Sequence, residues 1–218
     1  MATTWGTIAD EIQALVQDSV FSDTGSMYSY LLIWGNRVQR NMHKEIDFRH
    51  KLKYSAGTVS FTGSSPVSMP SDFFKVSDRF IKCRQNASPD EVIDLIGLDK
   101  MLELDQGQND TTTNAYPDAV SIESNKMYST PLFTGTVAVE GYYTIPTAMT
   151  GDGDNPDFPD EDDALECLMS GVIWRCFRHL KDPEMTQQYQ ADYGRLLEML
   201  RTHNNKSDSE YITKARQY

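Results

Sequence analysis

The sequence is short of cysteine, histidine, basic residues and long apolar runs, and each shortage closes a route. Cys83, Cys167 and Cys176 are odd in number and widely spaced, so they read as buried thiols of a reducing compartment, not as a disulfide scaffold. His43, His50, His179 and His203 are scattered, without the spacing to one another or to cysteine that a metal site needs. No apolar run approaches the ~20 residues that cross a bilayer, so no membrane partner is expected. The opening MATTWGTIADEIQ has neither a basic n-region nor an apolar h-region, so no secretory signal is expected. Without one, the N-x-S/T matches at Asn86, Asn109 and Asn205 read as chance. Dinucleotide, P-loop and nucleophile-elbow motifs are absent. The expectation is therefore no catalytic residue, no metal and no cofactor. With 20 Lys and Arg against 32 Asp and Glu, the net charge is −12. Affinity for a phosphate backbone comes mainly from Lys and Arg, so the charge argues against wrapping nucleic acid. An acidic wall would instead repel a passing duplex.

What is present is a clear succession of periodicities. Ile8, Ile12, Leu15, Val16 and Val20 share one helical face, giving a first helix over Thr7 to Val20 with Thr7 and Asp10 as a capping box. Leu31, Trp34, Val38, Met42 and Ile46 give a second over Met27 to Phe48, with Gly35 on the same stripe as a point of close approach and Arg37, Arg40 and Lys44 on the opposite face. From Lys51 to Lys82 the pattern changes to short alternating runs, KLKYS, TVSFT, PVSMP and FKVSDRFIK, punctuated by Gly and Pro. Ser88-Pro89-Asp90-Glu91 carries a helix-start signature, cap then proline, and predicts a short helix ending at Gly97, with helical turns again over Leu98–Leu104. The polar stretch 105–118 reads as a loop. Strands return at Ala119–Glu123 and Lys126–Ser129, a hairpin around Ser124-Asn125, and at Thr136–Tyr143. The acidic GDGDNPDFPDEDD leads a helix over Asp160–Leu180, closed by Arg175, Arg178, His179 and Lys181 as the macrodipole favours. Asp182-Pro183 opens a last helix with Met185, Tyr189, Tyr193, Leu196, Leu197 and Leu200 as its buried face, and Asn204–Tyr218 reads as an extended arm.

The order predicts an α+β fold: a mainly α-helical four-helix bundle, an inserted β-rich domain and an extended C-terminal arm. The boundaries follow as 1–50 for the first part of the bundle, 51–150 for the β-rich domain with its short helical insertion, 151–204 for the rest of the bundle, and 205–218 for the arm.

Three stretches, taken in order, resemble the head-to-tail adaptor (connector or neck) proteins of tailed phages, of the tail tubular protein A type. They are IWGNRVQRNMHKEIDF with its Trp34-x-Asn36 step; VSMPSDFFKVSDRFI, strand then Pro70-Ser71-Asp72-Phe73 then strand; and VSIESNKMY followed by GTVAVEGYYTIPTAMTGDGD and FPDEDDALECLMSGVIW. The resemblance covers most of the chain; the stretch from about Cys83 to Asp118 is longer and more acidic than in the simplest members. It implies a homo-oligomeric ring, usually a dodecamer, at the neck of the virion, assembled in the host cytoplasm. Its partners would be the portal protein, the tail, nozzle or tail-fibre proteins, and viral DNA passing the channel without specific binding. It also implies that the C-terminal arm docks on the portal, with Tyr211, Ile212 and Tyr218 as anchors and Lys214 and Arg216 as charges. Arg37, Arg40 and Lys44 then become candidates for a subunit interface or the channel. The alternative from another class is a virion-associated cell-wall hydrolase using an acidic pair drawn from Glu103, Asp105 and Glu140. The run Asp152, Asp154, Asp157, Asp160, Glu161, Asp162 and Asp163 fails the calcium-loop pattern, because Pro156 holds the fifth position from Asp152, and reads as a solvated loop with helix-start acids.

Overall fold

A computed structural model describes residues 3–22, 25, 27–77, 80–85, 88–105, 117–158 and 162–215, with side chains outside that description at 88–90, 104–105 and 204–215. The chain divides into two compact units, residues 1–50 with 146–218 and residues 51–145.

In the first unit, α1 (Trp5–Val16), α2 (Tyr28–Glu45), α4 (Asp162–Leu180) and α5 (Pro183–Ala215) share one apolar core of residues such as Ile8, Ile12, Leu31, Met42, Leu168, Val172 and Cys176. The hub is α4, against which α1, α2 and α5 each pack. With α4 at the centre, the protein is not the mainly helical four-helix bundle that the order of elements suggested. The cap of α1 is Thr4, whose Oγ1 accepts from the Thr7 amide, and the helix ends at Gln17, which adopts φ 52°. That stop leaves Ser19–Phe21 as a separate 3-10 turn capped by Asp18. Gly35 does provide the expected close approach: a Cβ there would lie 2.5 Å from Cη2 of Trp5, so α1 sits on α2 because this position has no side chain.

The second unit overturns a mainly helical description. Ten strands are described, and α3 (Leu98–Asp105) is its helix. One sheet has three strands, β1 (Leu52–Lys53), β10 (Tyr142–Thr144) and β4 (Phe73–Val76), in the order β1-β10-β4. The other has seven, β2 (Gly57–Thr62), β9 (Thr134–Glu140), β5 (Lys82–Gln85), β6 (Ser88–Leu95), β7 (Ala119–Glu123), β8 (Lys126–Thr130) and β3 (Val67–Ser68), in that order. Its terminal strands β2 and β3 touch, so the sheet nearly closes into a barrel. Alternation does the sorting: Val59 and Phe61 of β2 point inward and Thr58, Ser60 and Thr62 outward, and the interior gathers Phe61, Cys83, Val120, Met127, Phe133, Val137 and Val139. The fold is mixed α and β, with five helices among the described residues.

Two further local expectations fail. Ser88–Leu95 is strand β6 and not a short helix, paired antiparallel with β5 and parallel with β7. Its backbone groups gain ladder partners on both edges, which outweighs the cap-and-proline signature. The C-terminal arm is not extended up to residue 215: α5 runs unbroken to Ala215.

Candidate functional site

Among the described residues, the family-like stretches build two sets of internal clamps. The first joins α2 to the loop before α4. Asn36, Gln39 and His43 lie at i, i+3 and i+7 and share one face of α2. Asn36 grips Met149 twice, donating from Nδ2 to the carbonyl at 2.9 Å and accepting at Oδ1 from the amide at 2.8 Å. Gln39, 1% exposed, donates to the Thr147 carbonyl at 2.7 Å and accepts from the Asp157 amide at 2.8 Å. His43 Nε2 donates to the Asp157 carbonyl at 2.8 Å, and its ring stacks on Phe158 at 5.3 Å. Thus IWGNRVQRNMHKEIDF and TAMTGDGDNPDF, far apart in sequence, form one device.

The acids of that loop serve its own turns. Asp154 accepts from the Thr150 amide and hydroxyl at 2.6 and 2.7 Å and from the Gly151 amide at 3.1 Å, and these donors, the Thr150 amide first, hold its carboxyl below the usual range. Asp152 accepts from Tyr28 at 3.1 Å, and Asp157 from the Thr147 amide. Asp162 and Asp163 open α4, and Asp160 and Glu161 lie outside the described residues. His43 and His50, which the sequence presents as scattered, come together at 5.9 Å between ring centroids, both bonded to Asp157.

The second clamp lies inside the β unit. The Asp72 carboxylate accepts from Lys53 Nζ at 2.7 Å and from the Tyr142 hydroxyl at 3.0 Å, tying the Pro70–Phe73 turn to β1 and β10. Burial acts to raise the Asp72 pKa, but the hydrogen bonds from Lys53 and Tyr142 outweigh it and hold the group below its ordinary value. The same bond from Asp72, ahead of Tyr142, raises Lys53. So the second and third family-like stretches also meet through a specific bond.

The sequence-predicted positions fall as follows. Arg37, Arg40 and Lys44 are all exposed on α2, and Arg40 and Lys44 have interaction partners within the chain. Sequence reasoning missed the company Arg37 keeps, because Arg175 and Arg178 read as ordinary dipole partners at a helix end. The structure places Arg175 half-buried beside Arg37 and Arg178; burial first, then those two charges, lowers its pKa. Tyr211, Ile212 and Lys214 fall on the α5 backbone with side chains outside the described residues, as Arg216 and Tyr218 are altogether. Of the proposed acidic pair, Glu140 is 3.7 Å from Arg84 in an ion pair, Glu103 lies on α3, and the Asp105 side chain is outside the described residues. Cys83, Cys167 and Cys176 are free and buried, and burial pushes each thiol up to about 12. No helix among the described residues is long and apolar enough to cross a membrane.

No curated protein matches the chain. The resemblance carried by the three stretches is borne out on a larger scale, because the family model described as SU10 adaptor protein matches residues 3–216. The match takes in both units and both clamps, and the chain belongs to this family of phage adaptor proteins.

Proposed function

We propose that the chain is the head-to-tail adaptor of a tailed phage: twelve copies form a ring under the portal, lengthen the DNA channel and give the tail its attachment surface. Adaptor proteins of this kind are structural virion components. The ring, the neck position, assembly in the host cytoplasm, and contacts with portal and tail, nozzle or fibre proteins are our reading. So is passage of DNA without specific binding, which the −12 net charge supports. We read the chain as having no enzymatic role.

The observation that carries the reading, beside the family, is the length of α5. It has 33 residues where its partner α4 has 19. Leu200 is its last buried side chain among those described, and His203 stands 3.9 Å from Asp163, where α5 passes the start of α4. From Asn204 to Ala215 the helix therefore continues beyond α4, by about 18 Å at 1.5 Å per residue. A helix that outruns its own packing partner is a segment for another molecule, and we assign it to the portal, with Tyr211, Ile212, Lys214, Arg216 and Tyr218 as docking residues. Many weak arms on one ring add avidity.

The test is truncation after Asn204, which leaves every described core residue in place. The truncated chain is expected to fold and to stay off portal-bearing heads in a sedimentation assay. Heads that carry it at wild-type occupancy would overturn the docking role. Counting the symmetry of the neck in images of the particle tests the number twelve.

A further inference from the structure

The helical unit carries a group of like charges without a carboxylate partner among the described residues. Arg37 of α2 and Arg175 and Arg178 of α4 stand close enough that the first and last both act on Arg175. None of the three is ion-paired with a described carboxylate. The chain has twelve more acids than bases, so gathering three arginines here is against the average.

The surroundings make the group a recognition surface. Arg175 lies over the Trp174 ring at 5.6 Å, and Trp174 stacks on Tyr193 of α5 at 6.2 Å. At Gly171, one turn before Arg175, a Cβ would meet Val38 of α2 at 2.6 Å and the Tyr193 ring at 3.0 Å. The floor is thus α4, and α2 and α5 flank it. Trp174 Nε1 and Arg175 Nε are buried and find no acceptor among the described residues. A buried donor left unpaired costs about 1–3 kcal/mol, so native proteins seldom keep one without a use. The exposed guanidinium groups of Arg37 and Arg178, beside an aromatic wall, suit a carboxylate.

We propose that the face formed by Arg37, Trp174, Arg175 and Arg178 receives carboxylates of a second copy of this chain, as one side of a head-to-tail contact between subunits. This rests on the ring reading above. A ring needs two different complementary surfaces on each copy, and a cationic face is complemented by an anionic one. The surplus of acid supplies the second: Asp10 and Glu11, for example, are exposed on α1, which is neither wall of the arginine face. A second copy fits better than DNA because the chain carries a net charge of −12, which disfavours a phosphate backbone. Among the helix-face positions read from sequence, Arg37 belongs to this contact, whereas Arg40 and Lys44 are engaged within the chain.

The experiment uses particles of the phage whose adaptor gene is replaced by variants. Arg37→Lys with Arg178→Lys keeps the charge and adds amines that a zero-length carbodiimide can join to carboxylates. The expected result is new covalent dimers of the chain whose linked peptides contain position 37 or 178 joined to Asp or Glu of another copy. Arg37→Glu with Arg178→Glu is expected to lower the copies per particle at least tenfold while the isolated chain keeps its helical circular dichroism. Links from these positions to a portal or tail protein, ultraviolet cross-links to DNA, or wild-type occupancy of the glutamate variant would overturn the inference and leave the adaptor reading standing. Absence of the wild-type chain from particles would overturn both.

Discussion

Replacing Asn36 tests whether the clamp between α2 and the 147–157 loop holds the helical unit together. Asn36→Ala removes two hydrogen bonds of 2.8 and 2.9 Å to the backbone of Met149, a residue only 3% exposed. Each bond contributes about 1 kcal/mol net, and the shielded amide and carbonyl left behind add to the loss, so about 2–3 kcal/mol is expected. With a urea slope of about 1–3 kcal/mol per M, the midpoint falls by roughly 1 M or more at unchanged slope. Tryptophan fluorescence reads this unit alone, because all three tryptophans, Trp5, Trp34 and Trp174, lie in it. Asn36→Asp is the control. It is nearly isosteric and still accepts from the Met149 amide, but it cannot donate to the carbonyl and sets a charge against it. It should lose at least as much stability as the alanine variant while keeping the Met149 amide protected from hydrogen exchange, which the alanine variant should not. If Asn36→Ala unfolds within ~0.5 kcal/mol of wild type, the clamp contributes nothing. If Asn36→Asp matches wild type, side-chain volume and not the pair of bonds matters.

The other predictions concern the β unit and the thiols. Tyr142→Phe leaves Asp72 one donor short and should cost about 1–2 kcal/mol, read as faster hydrogen exchange along β10. Asp72→Asn should cost little more than ~1 kcal/mol in its pairing with Lys53, since both groups are partly exposed and screened. Its pH dependence has a definite sign. Asp72 is held below its ordinary 3.8, so its contribution is present above that value and fades as pH falls through the lower folded value. Lys53 is held above its ordinary 10.5, so its contribution is present below that value and fades as pH rises through the higher folded one. The difference between wild type and Asp72→Asn should therefore be flat from about pH 5 to 9 and shrink outside it; a maximum near neutrality would contradict this. Gly141→Ala should prevent stable folding of the β unit, by about 3 kcal/mol or more, because the position has φ 72° and a Cβ would lie 2.0 Å from the Phe80 carbonyl oxygen; soluble yield and exchange of β9 and β10 report it. Cys83, Cys167 and Cys176 should resist a thiol reagent at pH 8 in the native chain and react fully in denaturant, since thiols raised to about 12 hold almost no thiolate there.

The helices were legible because their signals are local. The stripe of Leu31, Val38 and Met42 and the Asp182-Pro183 start state their own structure within a few residues, and Asp182 indeed caps at the Met185 amide, 3.1 Å away. The strands around Ser124 and Asn125 were legible for the same reason, with Ser124 at φ 56° turning the hairpin. What failed was decided elsewhere in the chain. Ser88–Leu95 carries a helix-start signature, yet β5 and β7 on either side fix it as a strand. Thr136–Tyr143 reads as one strand, but Gly141 breaks it, so that Val139 serves the seven-stranded sheet and Tyr142 the other. Asn204–Tyr218 shows no apolar periodicity and reads as an arm, whereas α5 needs none to propagate: once Leu196 and Leu200 anchor it, each added residue costs little.

The same split between local and distant causes explains why the arginine face was invisible in sequence and the clamps were only half visible. Asn36, Gln39 and His43 occur in a stretch already singled out, but nothing in it says that their partners are backbone groups more than a hundred residues away. Arg175 and Arg178 have an adequate local explanation at the end of α4, and a local explanation discourages a search for another. Only the packing of α2 against α4 brings Arg37 to them and makes one group of three cations that have no ion-pair partner among the described residues. In a chain with twelve surplus acids, three cations gathered without a described carboxylate partner are a local departure from the average charge. On the ring proposed above, the place to look for a carboxylate partner is the next copy.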